Sequence, residues 1–336
     1  MIPINILGTG LYAPGEAINN TELKQLANIE FDAKKTEEKI GIYQRHIAHL
    51  RGIAETTADF VTHAAKEAIK HAGITPDEAG LFIVATDTPE FITPATAIVV
   101  QGRIQQNEAW AMAFDISASC ASFTMAFDTA ASILNSNPHI KYAVVTGVYN
   151  MPAFIRPDDA FGYSIFADGA AAFVLERTKE EQGSAYIGSQ MLTDGTQWDY
   201  IGIYAGGAKN PVTHELIDEN KHGLLSLQPL PGDRNVRLWP IIIKKILEKY
   251  ECSLNEIDHY IFTQINRSVI VKVMDAIGQP LEKAHFIMNK YGYTGSACLP
   301  MTFHEGIQNG VIRRGDKILF VASGAGLSVG SNLFIY

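Results

Sequence analysis

The segment FDISASCASFTMAFDTAASIL, residues 114–134, places one thiol where chemistry is expected. It reads as a short strand, a turn of small residues around Cys120, and then a helix. The free N–H groups and the dipole of a helix N-terminus would face the Cys120 sulfur. Both favour the thiolate, the reactive form of a nucleophilic cysteine. Ala118, Ser119, Ala121 and Ser122 keep the surroundings uncrowded, which suits a nucleophile better than a space-filling core residue. A buried structural cysteine is the plainer alternative. Cys252, in a turn beside Glu251, and Cys298, in the helix start GSACLP, lack this setting and read as structural.

A second chemical element lies near the C-terminus, in FVASGAGLSVGSNLFIY. Gly324, Gly326 and Gly330 form a tight turn between two strands, and such a turn can present backbone N–H groups to an oxyanion. No Gly-Lys-Ser/Thr follows, so a phosphate-binding loop is not expected. A plain hairpin is the alternative reading.

The elements that must hold these residues alternate between strand and helix. The runs 81–86, 142–148 and 170–176 are short, apolar and rich in β-branched or small residues, as buried strands are. Residues 57–72 carry apolar positions at helical spacing behind a Thr/Asp start. The order then repeats. KEAIKHAGITPDEAGLFIV (66–84) is echoed by KKILEKYECSLNEIDHYIF (244–262), KYAVVTG (141–147) by DKILFVASG (316–324), and DGAAAFVLE (168–176) by VGSNLFIY (329–336). A repeat this long means two halves of similar α/β fold packed face to face, not a solenoid. The halves are expected at 1–180 and 181–336. An irregular insertion near 185–235, rich in Gly, Pro, Asn and Asp, is expected to shape a substrate entrance.

Bulk properties narrow the function. The chain has 336 residues and a net charge of −9, so clustered Lys/Arg for a nucleic-acid partner is not expected. Three sparse cysteines build neither a disulfide framework nor a zinc site, so no metal is expected, and reduced thiols point to the cytoplasm. The opening MIPINILGTGLYAPGE lacks a basic segment before an apolar run, so no secretory signal is expected, and no apolar stretch is long enough to span a membrane.

Taken together, the motifs resemble the thiolase-like condensing enzymes, most closely the ketoacyl-acyl-carrier-protein synthase III family. ILGTGLYAPG resembles the family's opening strand and turn. EKIGIYQRHIA (38–48), FDISASCASFTMAFD and FADGAAAFVLE resemble further family segments, and GYTGSA and GAGLSVGS sit where its last two active-site loops lie. The resemblance implies a five-layered αβαβα sandwich built from a duplicated βαβ unit. It implies that Cys120 takes an acyl group from coenzyme A or from a phosphopantetheine carrier protein, with no tightly bound cofactor. The oxyanion would be held by the N–H of Cys120 and by one from the Gly324–Gly326 turn. Family members are usually dimers, so a homodimer is expected, or a heterodimer with a paralogue.

The departures from the family pattern are informative. Its catalytic set is Cys, His and Asn. The His segment here reads IFTQINRS (261–268), which puts Thr263 at the His position, with Gln264 and Asn266 matching its neighbours. A one-residue slip would place Gln264 there instead. Tyr293 replaces the Asn. Thr263 and Tyr293 can donate a hydrogen bond, but neither titrates near neutral pH. The resemblance also implies that the family's adenine clamp is absent, with Lys35 or a neighbour and Ala160 at its two positions, which favours a carrier-protein donor or a different use of coenzyme A. Arg234, Arg237 and Arg267 are candidates for meeting an acidic carrier protein or the phosphopantetheine phosphate. His222, His285 and His304 are weaker candidates for a recruited base.

The reading is an acyltransferase that passes an acyl group from Cys120 to a nucleophilic acceptor in specialised lipid, polyketide or secondary metabolism. The alternatives are a decarboxylating condensing enzyme with a rebuilt site, and a catalytically silent subunit of a heterodimeric synthase.

Overall fold

The computed structural model describes residues 3–178 and 184–336. Thirteen strands are present among them: β1 Ile4–Tyr12, β2 Ile18–Asn19, β3 Gln44–Arg45, β4 Ala79–Ala85, β5 Met112–Ile116, β6 Tyr142–Tyr149, β7 Gly169–Arg177, β8 Ala185–Thr193, β9 Ile201–Ile203, β10 Leu224–Ser226, β11 His259–Phe262, β12 Lys317–Gly324 and β13 Ser328–Ile335.

Two sheets carry the fold. The first has the order β1-β7-β6-β4-β5, the second β8-β13-β12-β11. In the first, β6, β4 and β5 are parallel, while β7 runs antiparallel to both β6 and β1. The second repeats this: β11 is parallel to β12, and β13 is antiparallel to both β12 and β8. The counterpart of β5 survives as a single parallel bridge between Tyr260 and Ala284. The duplication read from the sequence is therefore a duplication of topology.

Five layers result. The helices Thr57–Ala72 and Thr96–Ile104 cover the outer face of the first sheet, and Arg234–Lys249 and Arg267–Ala276 cover the second. Between the sheets lie the helices Ser122–Ser136 and Cys298–Gln308. The outer helix Thr57–Ala72 starts at a capping box of Thr56 and Asp59 and stops at left-handed Gly73. Both central helices bury most of their residues, as a helix enclosed between two sheets must.

Aromatic rings lock the middle layer. Phe123 meets Phe173 edge-on at 5.1 Å, Phe127 meets Phe334 at 5.3 Å, and Phe320 meets Phe303 at 5.8 Å and Phe334 at 4.9 Å. Each ring buried this way contributes roughly 1.5–3 kcal/mol. This packing fixes the two central helices against each other, and with them the loops at their N-termini.

The insertion differs from expectation at its start. Residues 185–193 form β8, the edge strand of the second sheet, paired antiparallel with β13 with a register shift at Gly188. The irregular part begins at Asp194 and contains the small antiparallel pair β9–β10.

Candidate active site

Duplication brings the two central-helix N-termini together. Cys120 lies between β5 and the helix Ser122–Ser136, and Tyr293 lies in the equivalent place before the helix Cys298–Gln308. The residue before Cys120, Ser119, has φ +52°, in the left-handed region. That kink turns the chain sharply and exposes the thiol at one wall of a cavity of about 480 Å³.

The cavity wall near the sulfur is built from Asp87, Ser119, Cys120, Tyr149 and Tyr293. Tyr149 and Tyr293 flank Cys120 with their rings 6.3 Å apart, and their hydroxyls pull the thiol pKa downwards. The β12–β13 turn closes the other side with Gly324 and Gly326. Gly324 lies so close that a Cβ there would stand 2.8 Å from the Cys120 nitrogen and 2.5 Å from the Ala118 oxygen. Only glycine permits this approach of two backbones. The turn is thus a hairpin, as one reading had it, and also a wall of the site.

The insertion supplies the mouth. Trp198, Ile201, Ile203, Leu224 and Leu230 line the cavity, with Trp198 and Leu230 partly exposed at the rim. Arg234, the first residue of its helix, enters the wall beside Asn235. Its guanidinium donates to the Gln197 Oε1 at 3.2 Å, and Asn235 Oδ1 accepts from Ser323 Oγ at 2.8 Å. Partial burial lowers the Arg234 pKa, against the opposing pull of Cys120.

The electrostatics of Cys120 differ from expectation. A helix N-terminus is expected to lower the thiol pKa. Burial, followed by the Asp87 carboxyl, instead pushes it up to about 12, outweighing the hydrogen bonds from Tyr293, Ser119 and Tyr149. The helix begins two residues later, at Ser122, so the sulfur flanks the helix terminus and sits in an enclosed, low-dielectric wall. A neutral thiol is the resting form.

The other sequence candidates take different places. Thr263 continues the pairing of β11, its N–H donating to Val321 O at 3.1 Å; it is fully buried, its hydroxyl has no partner, and it is not among the cavity-lining residues. Gln264 is a strap: its Nε2 donates to the carbonyls of Phe262 and His285, and its Oε1 accepts from the Ile287 N–H. Asn266 caps the helix Arg267–Ala276 by accepting from the Ser268 N–H. Arg267 stacks on Phe286 in a separate recess with Glu37 and Glu38. Ile265 is the one residue of this segment in the cavity wall.

No histidine lines the cavity among the described residues. His222 is exposed, His285 bonds His259 at 2.9 Å, and His304 bonds Thr9 at 2.9 Å. Cys298 is fully buried at the start of its helix, and burial raises its thiol pKa. Among the described residues no group of acidic, His or Cys side chains could hold a metal, and no helix is long and apolar enough to cross a membrane.

Two residues of the site escaped the sequence reading: Asp87 and Tyr149. Both follow or end parallel strands of the first sheet, at the carboxyl edge where α/β folds place their sites. That position was the available signal.

Sequence models of 3-oxoacyl-[acyl-carrier-protein] synthase III match residues 114–195, and models of its C-terminal portion match residues 247–336. A β-ketoacyl-[acyl-carrier-protein] synthase III of Wolbachia pipientis is 32% identical over 336 residues, covering 98% of each chain. The chain belongs to the ketoacyl-acyl-carrier-protein synthase III family. The relative of that name from Caldanaerobacter subterraneus is 30% identical, covering 99% of this chain and 97% of its own. The crystal structure of 3-oxoacyl-[acyl-carrier-protein] synthase III from Aquifex aeolicus superposes with a TM-score of 0.86 at 30% identity, covering 99% of this chain and 100% of that one. The fold is also shared with the priming β-ketosynthase of the R1128 polyketide pathway, at a TM-score of 0.84 and 23% identity. The fold is thiolase-like, and the family is one of condensing, acyl-transferring enzymes.

Proposed function

We propose that this synthase III family member is an acyltransferase in which Cys120 carries the acyl group. The donor is an acyl thioester of a carrier protein or coenzyme A. The acceptor is an amine, a hydroxyl or a preformed carbon nucleophile in specialised lipid, polyketide or secondary metabolism. The observation that carries this reading is the cavity wall: it holds a thiol, two phenols and a guanidinium but no imidazole. Acyl loading needs a sulfur nucleophile and donors for the oxyanion. The Cys120 amide and the Gly324–Gly326 turn are the proposed donors. Decarboxylation of a malonyl thioester needs more: hydrogen bonds to an enolate as it forms. Thr263 and Gln264, the two residues that the resemblance offers for the family's His position, are not in the wall.

Arg234 is assigned to the phosphate or pantetheine arm of the donor, since the insertion that forms the mouth also holds its guanidinium through Gln197. The test is intact-protein mass after exposure to acyl thioesters on coenzyme A and on carrier protein, with Cys120→Ala as control. A mass gain that vanishes in the variant is expected. Failure of every donor to load would favour a catalytically silent subunit paired with a paralogue.

One observation favours a second reading. Tyr149 and Tyr293 line the cavity with Cys120, so both could donate to a thioester oxygen and stabilise an enolate. The chain would then be a condensing enzyme with a rebuilt site. Release of CO₂ from a malonyl thioester, lost in Tyr293→Phe, would establish it in place of the first.

A further inference from the structure

Acyl transfer through Cys120 has two proton problems. The thiol must lose its proton before it attacks the donor, and the acceptor must lose one before it attacks the acyl-enzyme. No histidine in the cavity wall can take either. We propose that Asp87 is the general base of both half-reactions, taking first the Cys120 proton and then the acceptor's proton through the Ser119 hydroxyl.

The geometry carries this role. Asp87 lies just past β4, the strand held between β5 and β6, so its position is fixed by pairing on both sides. Asp87 belongs to the cavity wall with Ser119 and Cys120. The Ser119 hydroxyl donates to Asp87 Oδ2 at 2.7 Å and stands 3.9 Å from the Cys120 sulfur. The left-handed backbone of Ser119 aims that hydroxyl between the two groups. The other oxygen, Oδ1, is shut off from solvent and has no hydrogen-bond partner. Among the described residues no Lys, Arg or His forms an ion pair with it.

A buried carboxyl kept for structure looks different. Asp168 accepts from the Ala48 N–H and from Asn150 Nδ2, both at 2.7 Å, so both of its oxygens are satisfied. A buried carboxyl with an idle oxygen is costly, and its place at a cavity wall points to a role during the reaction. Burial also raises the Asp87 pKa above the ordinary carboxylate value, which makes it a stronger base.

The steps balance without a metal or redox partner. In loading, the thiol proton moves to the Ser119 oxygen while the Ser119 proton moves to Asp87 Oδ2. The sulfur attacks the thioester carbon, the new C–S bond forms, and the donor's C–S bond breaks. The departing thiolate takes the proton back from Asp87. In transfer, the acceptor gives its proton to the Ser119 oxygen while the Ser119 proton moves to Asp87 Oδ2, and the acceptor bonds to the acyl carbon. The Cys120 sulfur leaves and is reprotonated from Asp87 through Ser119.

The inference rests on the acyl-transfer reading, so the wild-type protein is loaded first. The thioester donor that loads fastest is then used with Asp87→Asn, Asp87→Glu and Ser119→Ala, following acylation by intact mass. Iodoacetamide alkylation of Cys120 at pH 9 serves as the control for folding and access, because alkylation consumes thiolate and removing the Asp87 charge favours thiolate. Expected are a loss of tenfold or more in acylation for Asp87→Asn with alkylation at least as fast as wild type, a smaller loss for Ser119→Ala, and partial recovery in Asp87→Glu. Acylation of Asp87→Asn within tenfold of wild type would overturn the role. So would a matching loss of acylation and alkylation, which would mark Asp87 as structural. If the wild-type protein takes no acyl group from any donor, the acyl-transfer reading fails before Asp87 is changed, and this role falls with it.

Discussion

Cys120 is a thiol held neutral. Burial and the nearby Asp87 carboxyl raise its pKa to about 12, with Tyr149, Tyr293 and Arg234 as the other titratable or charged groups facing it. The sign follows directly: a raised thiol pKa leaves little thiolate at neutral pH, and the fraction grows about tenfold for each pH unit below that value. Alkylation of Cys120 is therefore expected to climb steadily from pH 7 to pH 10 with no plateau near 8.5. A plateau at neutral pH would show a thiolate stabilised by the helix terminus after all. The Tyr293 hydroxyl is a neighbour of the sulfur, and Tyr293→Phe is expected to slow acylation by about tenfold, the effect of losing one hydrogen bond of about 1.4 kcal/mol. A rate within twofold of wild type would remove Tyr293 from the site. The sequence showed the Cys120 turn plainly and singled out Tyr293, since both lie in local patterns. It did not show Asp87 or Tyr149, because a residue at a strand end acquires meaning only from what the sheet places opposite it.

At the level of elements, the β12–β13 turn and the Cys120 turn are a matched pair. A methyl group at Gly324 would meet the Ala118 oxygen at 2.5 Å and the Cys120 nitrogen at 2.8 Å, both backbone atoms that cannot rotate away. Gly324→Ala is expected to cost about 1–3 kcal/mol of stability and most of the acylation activity, read by thermal melting and by intact mass. Full activity in that variant would mean that the two turns move apart freely. The insertion after Asp194 forms the mouth, and Arg234 is tied to it. Arg234→Gln is expected to raise KM for the donor about tenfold with little change in kcat, and an unchanged KM would free Arg234 from that role. The sequence marked this region as an irregular insertion. It misplaced the start, because the nine residues of β8 carry Gly and Ser and alternate weakly, so only pairing with β13 identifies them as a strand.

Across the molecule, the first sheet ends at β5, an edge with no strand beyond it among the described residues. Trp110, at 87% exposure, and Met112 lie on or beside it, with exposed Phe91, Ile92 and Ile98 nearby in sequence to β4 and the helix Thr96–Ile104. A bare apolar edge invites pairing with another chain. The expected state is a dimer joined along β5, read by sedimentation velocity, and Met112→Lys is expected to shift it towards monomer. A monomer at micromolar concentration in the unaltered protein would refute the expectation.

The amino-acid sequence by itself determined the periodicity of the strands and helices, the internal repeat, and the cysteine in its small-residue turn. These are local patterns, set by side-chain type and spacing along one stretch of chain. The tertiary structure alone decided which candidates share a cavity. Face-to-face packing of the duplicated halves brings positions 87, 120, 149, 293 and 324 to one cavity, while it turns Gln264 and Asn266 into backbone straps and caps. It also decided the ionisation of the thiol, because burial and the approach of a carboxyl from another strand are properties of the packed molecule and leave no mark on the residues beside Cys120.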